Sequence, residues 1–132
     1  MCGRLGFELH PKDLKPEEVA FAKKAVADYK RIRPVVQQGD LYRLASPYEN
    51  PYSALMYTNG DRSHAVVFVL GLKENGEKSV SLNLTGLAEG AKYGIAEINC
   101  TVPHDAKLDG RRLSLALHGP YDSAVFEISQ GD

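Results

Sequence analysis

Between Tyr29 and Pro47 the spacing of apolar residues changes from helical to alternating, and Pro34 stands at the change. Pro34 has no amide donor and its ring crowds the preceding turn, so a helix is expected to end near Arg33. Val35 and Val36 then favour extended structure, Gly39-Asp40 a turn, and Leu41, Tyr42 and Leu44 the start of a strand. Residues ahead of this junction read as helix. Residues beyond it read as strands.

The helix is marked at both ends. Pro16 suits a first turn, Glu17 and Glu18 sit where the backbone dipole is positive, and Lys30, Arg31 and Arg33 sit where it is negative. Val19, Ala22, Val26 and Tyr29 follow helical spacing, with Ala25 and Ile32 widening the stripe and Lys23, Lys24, Asp28 and Lys30 mostly outside it. One face must therefore be buried, either on the rest of the chain or on a second copy of it. Acids on the polar side and alanines on the apolar side argue against a membrane surface. Upstream, Leu5, Phe7 and Leu9 alternate around Gly3 and Gly6, which predicts a short extended arm, loosely docked if nothing ties it down.

Beyond Leu41 the period is two. Tyr52 to Thr58 and Ser63 to Leu72 flank Asn59-Gly60, a strong hairpin signal. Val66 to Leu70 is apolar at every position and reads as a central strand, whereas Val80, Leu82 and Leu84 alternate with Ser79, Ser81 and Asn83 and read as half exposed. With Asn75-Gly76 as a loop, these three strands are expected to form an antiparallel meander. Tyr93 to Ile98 comes after a turn at Leu87 to Gly90. Leu113, Leu115 and Leu117 alternate after Asp109-Gly110, and Ala124 to Ile128 closes the series. The prediction is a mainly β fold: an antiparallel β-sandwich of about seven to eight strands preceded by one amphipathic α-helix.

At 132 residues the chain is too short for a (β/α)8 barrel, which needs roughly 200 residues or more. A net charge of −1 with acids and bases intermixed gives no basic stripe for nucleic acid. No apolar run approaches a membrane span, and Met1 to Lys12 lacks a signal pattern, which points to a soluble, cytoplasmic chain. Cys2 and Cys100 stand far apart, and His10, His64, His104 and His118 form no ligand pair, so no disulfide, metal or cofactor is expected. The sequons at Asn83 and Asn99 and the Gly3-x-x-Gly6 pair are too common to carry weight.

Three blocks, Ile32-Arg33-Pro34-Val35-Val36-Gln37, Gly39-Asp40-Leu41-Tyr42-Arg43-Leu44 and Ser46-Pro47-Tyr48, resemble glycoside hydrolase family 36 α-galactosidases where the catalytic barrel passes into the C-terminal domain. Ala54-Leu55-Met56-Tyr57, Ala65-Val66-Val67-Phe68, Gly86-Leu87 and Tyr93-x-Ile95-x-Glu97-Ile98-Asn99 extend the resemblance into that domain's β-sandwich. The resemblance implies that residues 1–33 are the end of the barrel and 34–132 the sandwich. It also implies that the parent hydrolyses terminal α-galactosides with retention, and that this portion's partner is the barrel.

A retaining glycosidase holds two carboxyl groups roughly 5–5.5 Å apart. In the family the nucleophile lies in a Lys-Trp-Asp motif, and this chain contains no tryptophan. Glu17, Glu18, Asp40, Asp61, Asp105, Asp109 and Asp122 fall on the helix or in turns, where capping and solvation explain them. No catalytic, cofactor-binding or metal residue is assigned, and the chain alone is expected to be inactive. An autonomous carbohydrate-binding module is the alternative, with Tyr42, Tyr48, Tyr52 and Tyr57 as the candidate platform, although strand tyrosines more often pack in cores.

Overall fold

A computed structural model describes residues 1–6, 10–73 and 76–131. Phe7, Leu9 and Asn75, assigned above to the arm and a loop, lie outside them. After a 3-10 turn at Pro11–Asp13 come one helix, α1 (Pro16–Gln38), and eight strands: β1 (Asp40–Ala45), β2 (Tyr52–Thr58), β3 (His64–Gly71), β4 (Glu77–Asn83), β5 (Tyr93–Ile98), β6 (Lys107–Asp109), β7 (Arg112–His118) and β8 (Ser123–Gln130). They form two antiparallel sheets, ordered β1-β2-β3-β8-β5 and β4-β7-β6. The arrangement is a β-sandwich, as the alternation predicts. No described helix is long and apolar enough to cross a membrane.

Alternation decides which side chains meet. Ala54 and Met56 of β2, Ala65, Val67 and Val69 of β3 and Ala124, Phe126 and Ile128 of β8 face Val80 and Leu82 of β4 and Leu113, Leu115 and Leu117 of β7. Each large side chain so buried contributes about 1.5–3 kcal/mol, which outweighs any local strand preference. The other face of the large sheet is also covered. Val66 and Phe68 pack against Tyr29, Ile32, Val35 and Val36 of α1, so β3 is buried on both sides, in keeping with its unbroken apolar run.

Three expectations need correction. The helix does not stop at Arg33 but runs through Pro34 to Gln38, and Val35 and Val36 are helical, not extended. Proline inside a helix costs about 3 kcal/mol, yet the added turn buries both valines, at about 1.5–3 kcal/mol each. The predicted meander does not form, because β4 leaves the first sheet to pair with β7 while β3 takes β8 as its second neighbour. A strand with one wet face does better as the edge of the small sheet. The hairpin expected around Asn59-Gly60 does form, joining β2 to β3 through a five-residue loop, residues 59–63, in which Arg62 has positive φ. Asn59 holds it by accepting from the His64 amide at 2.9 Å and donating to Ser63 Oγ at 3.0 Å. The helical stripe is also displaced: Ala25, Asp28, Tyr29, Ile32, Val35 and Val36 are buried, whereas Val19, Ala22 and Val26 are only half covered.

Gly39 ends the helix for reasons of space. Its backbone is extended, its amide donates to the Val35 carbonyl at 2.9 Å, and a Cβ there would collide with the main-chain oxygens of Val35 and Thr58. Neither oxygen can move without breaking the helix end or β2. Gly39→Ala is therefore expected to cost about 2–3 kcal/mol in urea unfolding, while Gly60→Ala, with open space around its Cβ, stays within about 0.5 kcal/mol.

Candidate functional site

The four candidate platform tyrosines are dispersed by the pleat. Tyr52 and Tyr42 turn toward the inter-sheet core. Tyr57 turns to the helix side, edge-on to Phe68 with ring centroids 6.0 Å apart, and only Tyr48 stands free, 97% exposed. Tyr48 borders an open cleft with Arg43, Ser46, Glu49 and Ser53. Of the acids, Glu17, Glu18, Asp40, Asp61, Asp105 and Asp109 are exposed. Glu18 accepts from the Lys15 amide at 2.8 Å as part of a capping box, and Asp61 is held low by its bonds from the Ser63 hydroxyl and amide. Asp122 departs from the expectation of a solvated turn residue.

The helix meets the sheet through a charged row as well as an apolar one. Arg31 donates to Glu127 of β8 at 2.6 and 2.9 Å and to Asp28 at 3.0 Å, and His64 Nε2 lies 2.9 Å from the other Glu127 oxygen. Burial pushes the Glu127 carboxyl up, but the Arg31 guanidinium and His64 outweigh it and hold the group below the usual carboxylate range. Helical spacing in the sequence puts Asp28 outside the apolar stripe, but the stripe that is buried passes through it, and Arg31, one turn on, donates to its Oδ1. The first half of α1 is different. Phe21, which continues the buried stripe toward the start of the helix, is 37% exposed, and Val19, Ala22 and Val26 to one side of it are half covered.

One enclosed ionisable cluster is not singled out by sequence spacing. His104, in the β5–β6 connection, places Nδ1 2.7 Å from Glu97 Oε1 and Nε2 3.0 Å from Asp122 Oδ2, and the histidine and glutamate side chains are each 8% exposed. Its own amide donates to Glu97 Oε2 at 2.7 Å, and the His118 amide donates to Asp122 Oδ2 at 2.6 Å. Two carboxylates on opposite ring nitrogens require both nitrogens to donate, which is the imidazolium form. Burial lowers the His104 pKa, but the hydrogen bonds to Glu97 and Asp122 more than reverse this and raise it above the usual 6.5. Both Glu97 oxygens and Asp122 Oδ2 are engaged by the clamp, with 26% of the Asp122 side chain still exposed, so the cluster ties the β5–β6 connection to the β7–β8 turn.

Because the folded histidine binds its proton more tightly, its contribution is complete below pH 6.5 and fades as pH rises through the elevated value. Asp122, shifted below 3.8, acts oppositely and loses its contribution only as pH falls through its lowered value. Unfolding stability is thus expected to decline from about pH 6.5 upward, and His104→Gln to flatten that decline. An unchanged slope in the variant would show the clamp to be electrically silent.

No family model matches the chain. Individual proteins do. Over 126 residues it is 33% identical to α-galactosidase 2 of Hypocrea jecorina, covering 95% of this chain and 17% of that protein. Over 96 residues it is 38% identical to α-galactosidase AgaA of Geobacillus stearothermophilus, covering 72% of this chain and 13% of that protein. The crystal structure of AgaA superposes with a TM-score of 0.72 at 28% identity over 94% of this chain and 17% of that one, and a variant of AgaA has been crystallised with raffinose. The chain spans about a sixth of the length of these relatives. It is thus homologous, over most of its own length, to a small portion of the glycoside hydrolase family 36 α-galactosidases.

Proposed function

We propose that this chain is a non-catalytic C-terminal portion of a family 36 α-galactosidase, structural to a catalytic barrel that hydrolyses terminal α-galactosides with retention. The observation that carries this is α1, whose second half is seated on the sandwich and whose first half, among the described residues, leaves Phe21 exposed and Val19, Ala22 and Val26 only half covered. A helix built to lie between two bodies has this character, because contiguous apolar surface is normally matched to a partner. Residues 1–33 are read as the end of the barrel and residues 34–132 as the sandwich, with the turn of α1 after Pro34 on the sandwich side. The raffinose bound by AgaA suggests the substrate class of the parent.

No hydrolytic role falls to the chain itself. Catalysis requires a nucleophile and a proton donor held across one sugar, and the partly enclosed carboxylates Glu97, Asp122 and Glu127 are engaged by His104, Arg31 and His64. The purified chain is expected to release no nitrophenol from a nitrophenyl α-galactoside. Turnover that survives repurification and is lost on changing one Asp or Glu would overturn the reading.

The exposed ring of Tyr48 beside its cleft is the single feature favouring the carbohydrate-binding alternative. On the structural reading, millimolar raffinose leaves tyrosine fluorescence unchanged. A saturable change that is lost in Tyr48→Ala would favour the binding module instead.

A further inference from the structure

The segment ahead of α1 is held by hydroxyl groups that neither the core nor the charged row needs. Tyr57 Oη donates to the Cys2 carbonyl at 2.9 Å, and Tyr29 Oη donates to the next carbonyl, that of Gly3, at 2.6 Å. The Tyr29 oxygen in turn accepts from Gln37 Nε2 at 3.0 Å. Gln37 lies eight residues further along α1, and it can turn back to Tyr29 only because the helix continues past Pro34. Around these bonds Met1, Cys2 and Leu5 rest on the apolar cluster of α1 and β3. Burial pushes the Cys2 thiol and the Tyr57 phenol up. Two successive main-chain carbonyls are therefore gripped from two different elements, a helix and a strand, and one grip is itself braced.

We propose that Tyr29, Gln37 and Tyr57 form a clasp for the Cys2–Gly3 main chain, a set of positioning residues by which the sandwich fixes the path of the segment preceding α1. Because its donors address carbonyl oxygens, the clasp reads backbone and not side chains. Resting on the reading that this segment ends the catalytic barrel, the clasp would fix the end of the barrel's last strand relative to the sandwich. The clasp and that reading fail separately, since the nitrophenyl assay addresses the reading and thiol labelling addresses the clasp.

Cys2 is its own reporter. In a Cys100→Ser background, the rate at which dithionitrobenzoate labels Cys2 measures how often the arm is open. Tyr29→Phe and Tyr57→Phe each remove one hydrogen bond, and labelling is expected to rise about two- to tenfold in each, since one such bond changes an opening equilibrium by about that factor. The double variant should exceed either, and Gln37→Ala, which acts on the described arm through Tyr29, should show a smaller rise. Released from burial, the thiol should also be labelled with a pH midpoint shifted down toward that of an ordinary cysteine. Tyr42→Phe, in the inter-sheet core, should leave both readouts unchanged. Trypsin cleavage after Arg4 gives an independent measure and should accelerate in parallel while the melting temperature holds. Rates and midpoints in the Tyr29→Phe, Tyr57→Phe double variant equal to those of the parent would overturn the clasp, as would acceleration no greater than the loss of global stability explains.

Discussion

The contact on which the rest depends is the burial of Tyr29, Ile32, Val35 and Val36 against Val66 and Phe68. A five-stranded sheet whose central strand is apolar on both faces cannot remain in water on one of them. The three-stranded sheet covers only the other face. Seating α1 on the open face explains why the helix overrides Pro34, why Gly39 must be a glycine, and why Arg31 reaches Glu127 across the seam.

That geometry gives α1 two characters. From Ala25 onward it is seated on the large sheet by apolar packing and by the Arg31–Glu127 pair. Before Ala25 its larger apolar side chains are only partly covered among the described residues. The chain corresponds to about a sixth of its α-galactosidase relatives, and a half-seated helix fits a portion that is completed by another. The Glu97–His104–Asp122 clamp fastens the irregular β5–β6 connection to the β7–β8 turn by charge, beside the apolar contacts of Ala106 and Leu108.

Much of the fold was legible because period-two alternation is a direct statement about which face is buried. Val66 to Leu70 announced a strand covered on both sides, and Leu113, Leu115 and Leu117 announced one covered on a single side. Pairing was less legible. Nothing local tells β4 to leave β3, since that choice depends on β8, some forty residues further along the chain. The helix end was misread because a proline rule weighs one turn in isolation and the two valines beyond it decide by long-range burial. His104 escaped notice for the same reason: Glu97 and Asp122 are seven and eighteen residues away, and only the closing of loops at one end of the sandwich brings them to its ring. The dispersal of the four tyrosines was legible in part, as strand alternation separates Tyr52 from Tyr57.

The central claim is that α1 is divided, its later half belonging to the sandwich core and its earlier half awaiting another surface. Amide hydrogen exchange along the helix tests it most directly. Ile32 to Gln38 are expected to exchange as slowly as β3, near the limit set by global unfolding, while Glu17 to Lys23 exchange orders of magnitude faster. Uniform rapid exchange through Gln38, or uniform protection back to Glu17 in a monomeric chain, would contradict it.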